Sequence, residues 1–188
     1  MSGVTFLHKD LNIMKIKSAI IFGLTVLSSG YGWAAAPVLH VSKTITIEAS
    51  ANKVWHTAKD FNALNTWHPA LASDEIVEGT NNTVGAVRLL TLKGGGTIKE
   101  KLLAYDPAGH SFKYSILEGV VPLSDYTSTF VVKSLGKGKS SVTWSGRFKR
   151  KDPSDHPGEK ENDKAAIDTA NAIYQGGLDN LKKIVEAK

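Results

Sequence analysis

The chain has 188 residues, 41% of them hydrophobic and 22% charged, which is typical of one globular domain with a short appendage. It contains no cysteine, which excludes disulfides, thiolate metal ligands and a cysteine nucleophile. The formal net charge is +5, but the basic residues are scattered, and the densest run, Lys149-Arg150-Lys151, is followed by Asp152. A nucleic-acid binder usually carries a basic stripe with interleaved aromatic residues, so no nucleic-acid partner is expected.

The first 36 residues have the pattern of an export signal. Lys15 and Lys17 precede an apolar run over residues 19–27, and the small-residue segment 32–36 follows. A charged region, a short apolar region and a small-x-small site are the three parts of a signal peptide. The apolar run is also short for a membrane span. Residues 1–36 are therefore predicted to be a signal peptide.

The expected product of export is a mature ligand-binding domain over residues 37–188. Cleavage near Ala34 fits best, because Pro37 disfavours a cut after Ala36. The expected address is a bacterial periplasm or the exterior, with no stable membrane insertion after cleavage. Two alternatives stay open: Met14 as the true start, and an uncleaved N-terminal anchor.

The mature chain is predicted to begin with one strand and two short helices. Alternating residues over 40–48 predict the strand. Ser50 is the expected N-cap, with Asn52 as its competitor, of a helix over residues 51–60. A second short helix is expected over residues 62–68, where the following proline closes it.

Short strands with regular turn signals follow, which predicts an antiparallel meander whose sequence neighbours pair in space. The predicted strands cover residues 73–78, 86–93, 97–106, 111–118, 126–134 and 140–149. A polar loop is predicted over residues 151–163. From Lys164 the apolar residues recur at helical spacing, which predicts an amphipathic helix of about 24 residues with a weak interruption at Gly176-Gly177.

This order of elements predicts an α+β, helix-grip protein, in which a curved antiparallel sheet of six or seven strands wraps around the long C-terminal helix. A lone curved sheet must bury its apolar face, and the last helix is the predicted element long enough to cover it. A sheet that grips a helix need not close flush at both ends. We therefore expect an apolar cavity between them.

Several short motifs, in their order and spacing, carry a family resemblance. They are Val54-Trp55 with Phe61, Trp67-His68-Pro69, Gly85-Ala86-Val87-Arg88, Glu100-Lys101-Leu102, Pro122-Leu123-Ser124-Asp125-Tyr126 and Gly177-Leu178-Asp179-Asn180-Leu181. With them the chain resembles the START-like (SRPBCC) superfamily. That superfamily includes START domains, birch-pollen-allergen-like proteins, polyketide cyclase/dehydrase-like proteins and plant abscisic acid receptors. The resemblance implies a helix-grip fold with an internal site for a hydrophobic small molecule.

Two branches of this superfamily offer closer comparisons. In the hormone receptors, a gate loop would correspond to residues 93–97 and a latch loop to residues 119–124, although the gate here is shorter and lacks that branch's Ser-Gly-Leu-Pro pattern. His68 falls where that branch has a carboxylate-binding lysine, which implies a titrating group in place of a fixed charge. Matches to its polar pocket positions are Glu100, Tyr126 and Ser128. In length and signal the chain is also similar to MxaD-like periplasmic accessory proteins of methanol oxidation.

Arg88 and Glu100 are the predicted polar anchor of the cavity. By the period of two, Arg88 shares a strand face with Leu90, and Glu100 lies on the apolar face of the next strand. Charged residues are almost never buried unpaired, so we expect these two to form an ion pair. The pair either anchors a ligand head group or is purely structural, and the two roles are compatible.

The other candidates are aromatic, hydroxyl and apolar side chains on the same inner surface. Trp67 is a candidate to cap the cavity mouth, and His68 to donate to a ligand, although a lone histidine beside a tryptophan is more often structural. The predicted ligand-binding set is Trp67, His68, Arg88, Leu90, Glu100, Tyr114, Ile116, Leu123, Tyr126, Ser128, Trp144 and Ile173. For the tyrosines and Trp144 the alternative is plain core packing. The histidines lack metal-ligand spacing, and no metal or cofactor is expected.

Three functions from different classes fit these observations. The first is non-catalytic binding or transport of a hydrophobic or amphipathic small molecule, because the inner surface carries few polar groups. The second is a polyketide cyclase/dehydratase-like enzyme, which needs a general acid and base that face one substrate atom. No catalytic residue is predicted, because nothing in the sequence shows such groups converging. The third is a periplasmic accessory protein that docks on a redox enzyme. A monomer is expected, since no heptad pattern occurs.

Overall fold

The computed structural model describes residues 1–2 and 36–187, in which one sheet and one long helix dominate. In chain order the elements are β1 (Leu39–Ile47), α1 (Ala51–Ala58), a 3₁₀ turn (Leu64–Thr66), β2 (Leu71–Glu78), β3 (Val87–Leu92), β4 (Thr97–Asp106), β5 (Ser111–Gly119), β6 (Leu123–Gly136), β7 (Lys139–Arg150) and α2 (Asp163–Glu186). The predicted cleavage site near Ala34, with almost all of the predicted signal peptide, lies outside the described residues.

The seven strands form one antiparallel sheet in the order β1-β7-β6-β5-β4-β3-β2. Strands β2 to β7 each pair with their sequence neighbour, and β1 joins the far edge beside β7. This is the expected result for short strands joined by tight turns. The predicted α+β architecture, a curved antiparallel sheet that grips a C-terminal helix, is confirmed. The largest difference in a strand start is at β6, which begins at Leu123.

The first short helix is confirmed, and the second prediction is wrong in extent. Ser50 caps α1, because its hydroxyl accepts a hydrogen bond from the backbone N–H of Lys53 at 3.3 Å. The helix predicted over residues 62–68 is a single 3₁₀ turn. Its first backbone N–H, at Leu64, donates to the carboxylate of Asp74 at 2.9 Å. That bond and the following proline leave too few residues for an α-helix.

The long helix α2 packs against β7 and β1 and is continuous over 24 residues. Its buried residues recur every three or four positions, as in an amphipathic helix. They are Ala166, Ala170, Tyr174, Gly177, Leu178, Leu181 and Val185. Within the described residues, none of the helices combines the length and apolar character that a membrane crossing requires.

Both ends of α2 are tied to the sheet by charged side chains. Asp163, in the first turn, pairs with Arg150 at the end of β7, with 3.0 Å between Oδ1 and Nη1. Lys182, in the last turns, donates from Nζ to the carbonyl oxygen of Thr46 in β1 at 2.7 Å. These two contacts fix the position of the helix along the sheet.

Of the two neighbouring glycines in α2, only Gly177 is required by packing. A Cβ atom at Gly177 would lie 2.6 Å from Cδ2 of His68 and 2.8 Å from Cζ3 of Trp144, whereas a Cβ at Gly176 would meet nothing within 4 Å. The absent side chain at Gly177 therefore allows the helix to approach the sheet closely.

We expect Gly177→Ala to lower the free energy of unfolding by about 1–3 kcal/mol, because the added methyl group overlaps two buried rings. Gly176→Ala is the matched control and should raise it by about 0.5–1 kcal/mol, since alanine favours the helix. Urea unfolding measures both values. Effects of the same sign and size in the two variants would contradict the close approach at Gly177.

Candidate ligand-binding site

Between α2 and the inner face of the sheet lies a cavity of about 50 Å³. Nine predicted residues line it: His68, Leu90, Glu100, Tyr114, Ile116, Leu123, Tyr126, Trp144 and Ile173. The sequence analysis missed seven more: Leu64, Ala70, Leu71, Leu92, Ile98, Ala170 and Tyr174. The volume suffices for a few water molecules. Ligand pockets usually measure about 300–1,000 Å³, so a ligand must move the walls apart.

Three of the predicted residues, Trp67, Arg88 and Ser128, do not line the cavity. Trp67 is buried beside it, with its ring centroid 5.7 Å from those of Phe130 and Trp144, so it packs in the core and does not cap a mouth. Arg88 is enclosed by its own ion-pair partners. Ser128 donates its hydroxyl to the carbonyl oxygen of a residue in the neighbouring strand, at 2.8 Å. Whether any of these side chains contacts a ligand stays a prediction.

The predicted ion pair between Arg88 and Glu100 is confirmed and is buried. These residues face each other across β3 and β4. The Nη2 and Nε atoms of Arg88 donate to Oε2 of Glu100 at 2.6 and 2.9 Å, and Nη1 donates to the carbonyl oxygen of Phe61 at 2.7 Å. The guanidinium carbon lies 4.0 Å from the ring centroid of Phe61. Hydrogen bonds and a π-face thus replace the water that Arg88 loses on burial.

Asp74 is a third member of this buried cluster, and the sequence analysis missed it. Its Oδ2 atom lies 3.4 Å from Nη1 of Arg88 and accepts the N–H of Leu64. One guanidinium therefore faces two carboxylates. Burial raises the pKa of both Asp74 and Glu100, and the charge of Arg88 opposes that effect. With all three groups ionised, the cluster carries a net negative charge.

A group of hydroxyls from Tyr114, Tyr126 and Tyr174 lies along the cavity wall. The hydroxyl oxygens of Tyr126 and Tyr174 are 2.6 Å apart, and those of Tyr114 and Tyr126 are 3.4 Å apart. Burial raises the pKa of Tyr174 to about 12 and also raises those of Tyr114 and Tyr126. All three hydroxyls therefore stay neutral.

The indole of Trp144 completes this hydroxyl cluster. Its Nε1 atom donates to the hydroxyl of Tyr114 at 2.9 Å and to that of Ser128 at 3.0 Å. Its ring stacks on Tyr174 with 4.9 Å between centroids. Gly146 in β7 leaves the space that the Tyr174 hydroxyl occupies. The cluster joins three strands to α2 through polar atoms whose hydrogen-bonding capacity is largely used within the cluster.

His68 is held by backbone atoms on both sides of its ring. Nε2 lies 3.0 Å from the carbonyl oxygen of Ile173 in α2, and Nδ1 lies 3.3 Å from the backbone nitrogen of Ala70. This pairing suits the neutral tautomer with the proton on Nε2. Burial lowers the pKa of His68, an effect that the bond to Ile173 opposes and the charge of Arg88 reinforces. The geometry favours the structural role over donation to a ligand.

The cavity wall therefore holds polar groups that are already committed. Each of its titratable side chains has at least one hydrogen bond to protein atoms, although Glu100 uses only Oε2 for its bonds within the described residues. Among the described residues, no group of three or more histidine, aspartate or glutamate side chains is arranged to hold a metal. This lining can enclose an apolar molecule or the apolar part of one.

Residues 38–186 match the profile of the family described as polyketide cyclase/dehydrase and lipid transport. The chain belongs to this family. The match covers almost all of the described domain, and it agrees with the START-like, helix-grip resemblance of the sequence motifs. Membership in the polyketide cyclase/dehydrase and lipid transport family supports either hydrophobic ligand binding or cyclase chemistry, without a choice between them.

Solved structures place the chain in the same fold. It is similar to the protein XoxI from Bacillus cereus, with 31% identity, a TM-score of 0.67 and coverage of 78% of this chain and 94% of that one. Ara h 8.0201 matches at 21% identity and a TM-score of 0.65, over 81% of this chain and 100% of the other. The Zhui aromatase/cyclase from a Streptomyces species matches at 19% identity and a TM-score of 0.63, over 80% and 94%. The last two likenesses show the fold alone.

Arg88→Ala should lower the free energy of unfolding by about 3–5 kcal/mol, because it leaves two buried carboxylates without their cation. The control is Lys99→Ala, which removes the neighbouring and more exposed pair with Glu78 (Nζ to Oε1, 3.1 Å) and should cost about 0–1 kcal/mol. Urea unfolding measures both. A loss below about 0.5 kcal/mol for Arg88→Ala would contradict the buried cluster.

Proposed function

We propose that the protein binds a hydrophobic or amphipathic small molecule between α2 and the sheet, and that it does so without catalysis. The observation that carries the proposal is the cavity wall, which is mainly apolar and whose titratable groups each have a hydrogen bond to protein atoms. An enzyme of the cyclase kind needs a general acid and base that are free to reach one substrate atom. A carrier needs only an apolar enclosure with a few groups that orient its ligand.

The charges around the cavity favour a ligand whose polar group is neutral. Glu100 is the ionisable carboxylate of the lining, and His68 is neutral because burial lowers its pKa. The positive charge of Arg88 is already shared by two carboxylates. A ligand carboxylate would therefore find no free cation among the described lining residues, and it would meet a net negative charge when Asp74 and Glu100 are both ionised. A hydroxyl or carbonyl could instead exchange hydrogen bonds with the tyrosine hydroxyls.

The N-terminal pattern adds a proposed location. We infer that residues 1–36 direct the domain to a periplasm or the exterior, where it would carry its ligand. This inference rests on the charged, apolar and small-residue segments of the sequence alone. Mass spectrometry of the protein recovered from its native host tests it: a mature N-terminus near Ala35 is expected, and an intact N-terminus would contradict it.

Cavity filling tests the binding site itself. N-phenyl-1-naphthylamine is a neutral probe whose fluorescence rises in apolar surroundings. We expect Ala170→Leu to weaken its binding at least tenfold, because the added carbons occupy the cavity wall. Ala172→Leu makes the same change at an exposed position of the same helix and should leave the binding unchanged. Thermal unfolding shows whether each variant is folded.

A charged derivative of the same probe tests whether the site prefers a neutral ligand. 8-Anilinonaphthalene-1-sulfonate adds a negative sulfonate to the same phenyl and naphthyl groups, and we expect it to bind at least tenfold more weakly. If Ala170→Leu and Ala172→Leu weakened the binding of N-phenyl-1-naphthylamine equally, the probe would lie outside the cavity, which would contradict the proposal. Tighter binding of the sulfonate would contradict the preference for a neutral ligand.

A further inference from the structure

Strands β5 and β6 separate before they reach the loop that joins them. Their pairing runs from Ser111 with Val131 to Ser115 with Thr127. Beyond Ser115, β5 stays paired with β4 up to Gly119. β6 meanwhile begins against β7, where Leu123 pairs with Arg150. Within the described sheet, the end of β5 and the start of β6 therefore have no ladder between them.

Two β-bulges lie at the point where the strands part. In β5, Leu117 is the extra residue, because Glu118 pairs with Lys99 whereas Ile116 pairs with Glu100. β6 also has one extra residue against β7, because two residues separate Ser124 from Thr127 whereas one separates their partners in β7. Bulges bend their strand and locally disrupt the ladder. Two bulges on neighbouring strands thus account for the split.

The bulges are also opposite each other. The register of the paired part would place Leu117 directly across from Asp125 if the ladder continued. Asp125 has a φ of 48°, a left-handed conformation that aspartate adopts more readily than most residues. Its carboxylate turns to the other side and pairs with Lys149 of β7 at 2.8 Å. The β6 bulge is therefore held towards β7, away from β5.

The split leaves a cleft of about 620 Å³ at the surface. Ile116, Leu123 and Tyr126 line both this cleft and the internal cavity. Those three side chains are the wall between the two spaces. The cleft also exposes Leu117, whose side chain is bulged out of the sheet and whose residue is 52% accessible.

We propose that this cleft, which the pair of bulges opens between β5 and β6, is the entrance through which the ligand reaches the cavity. The inference rests on the proposed binding function. An apolar molecule would settle against Leu117 and pass inward when Ile116 and Leu123 change rotamer. Such changes need no backbone hydrogen bond to break, and side-chain rotations are among the fastest motions in proteins.

Beside the cleft, the loops that correspond to the hormone receptors' gate and latch, residues 93–97 and 119–124, are joined to each other by close contacts. The N–H of Val120 donates to the carbonyl oxygen of Thr97 at 3.1 Å, which ties the β5–β6 loop to the start of β4. A Cβ atom at Gly96 would lie 2.6 Å from Cγ1 of Val120, so the two loops touch. The Nζ atom of Lys151, which also lines the cleft, donates to the carbonyl oxygen of Gly119 at 3.0 Å and holds the end of β5 in place.

The absence of cysteine from the sequence allows a direct test by site-specific blocking. Leu117→Cys places a single thiol at the cleft, and Gly94→Cys places one at the exposed turn between β3 and β4. Each variant is modified with the same bulky maleimide, and stopped-flow fluorescence follows entry of N-phenyl-1-naphthylamine. The unmodified variants control for folding. Ser115→Cys, also at the cleft, is a second attachment point should Leu117→Cys fold poorly.

We expect the adduct at residue 117 to slow both association and dissociation at least tenfold while the final fluorescence amplitude stays the same. The adduct at residue 94 should change neither rate. Slowing by the residue 94 adduct alone would overturn the entrance and leave the binding function standing. Loss of amplitude without slowing would mean that the probe binds in the cleft itself, which also overturns the proposal. If the unmodified protein binds no probe at all, the proposed function fails first.

Discussion

The stacking of Tyr174 on Trp144 sets how closely the long helix approaches the sheet. The two rings lie nearly parallel, 15° apart, and the contact requires a glycine on each side: Gly177 beside Trp144 and Gly146 beside the Tyr174 hydroxyl. The close approach brings the hydroxyl of α2 into the cluster on the strands. It also accounts for the small cavity, because a helix held this near the sheet leaves little space between them.

The buried charge cluster supports the opposite wall of the same space. Arg88 is held by Glu100, Asp74 and the carbonyl of Phe61, and its guanidinium covers an aromatic ring. A fully engaged guanidinium cannot also bind a ligand anion without losing one of these partners. The engaged guanidinium and the neutral His68 together leave no free cation for a ligand anion, which favours a neutral polar group on the ligand.

The sequence was sufficient for the architecture and for most of the cavity wall. Period-two alternation placed Arg88 and Glu100 on one face of adjacent strands, and the pairing of β3 with β4 brings them opposite each other. Tyr174 could have been found from the sequence too, because a tyrosine on the apolar stripe of a helix needs a partner for its hydroxyl. Asp74 was harder to predict, since it lies between Ser73 and Glu75 in a stretch that reads as solvent-exposed.

Other features could not be predicted because they depend on how closely the elements approach each other and on the register between strands. The cavity volume follows from how far Gly177 lets the helix approach. The second short helix is one 3₁₀ turn because the bond from its first N–H to Asp74 of β2 sets its start and Pro69 sets its end. The paired bulges in β5 and β6 leave no clear mark in the amino-acid pattern, since bulges are defined by register between strands.

Methyl NMR tests most directly the central claim that the space between α2 and the sheet takes up an apolar molecule. Isoleucine and leucine methyl groups would be labelled, and their shifts followed as N-phenyl-1-naphthylamine is added. The account predicts shifts at Leu90, Ile98 and Ile173, which line the cavity and not the surface cleft, and none at the exposed Leu135. Shifts confined to Leu135 and other exposed methyl groups would show that the probe stays on the surface, and would contradict the account.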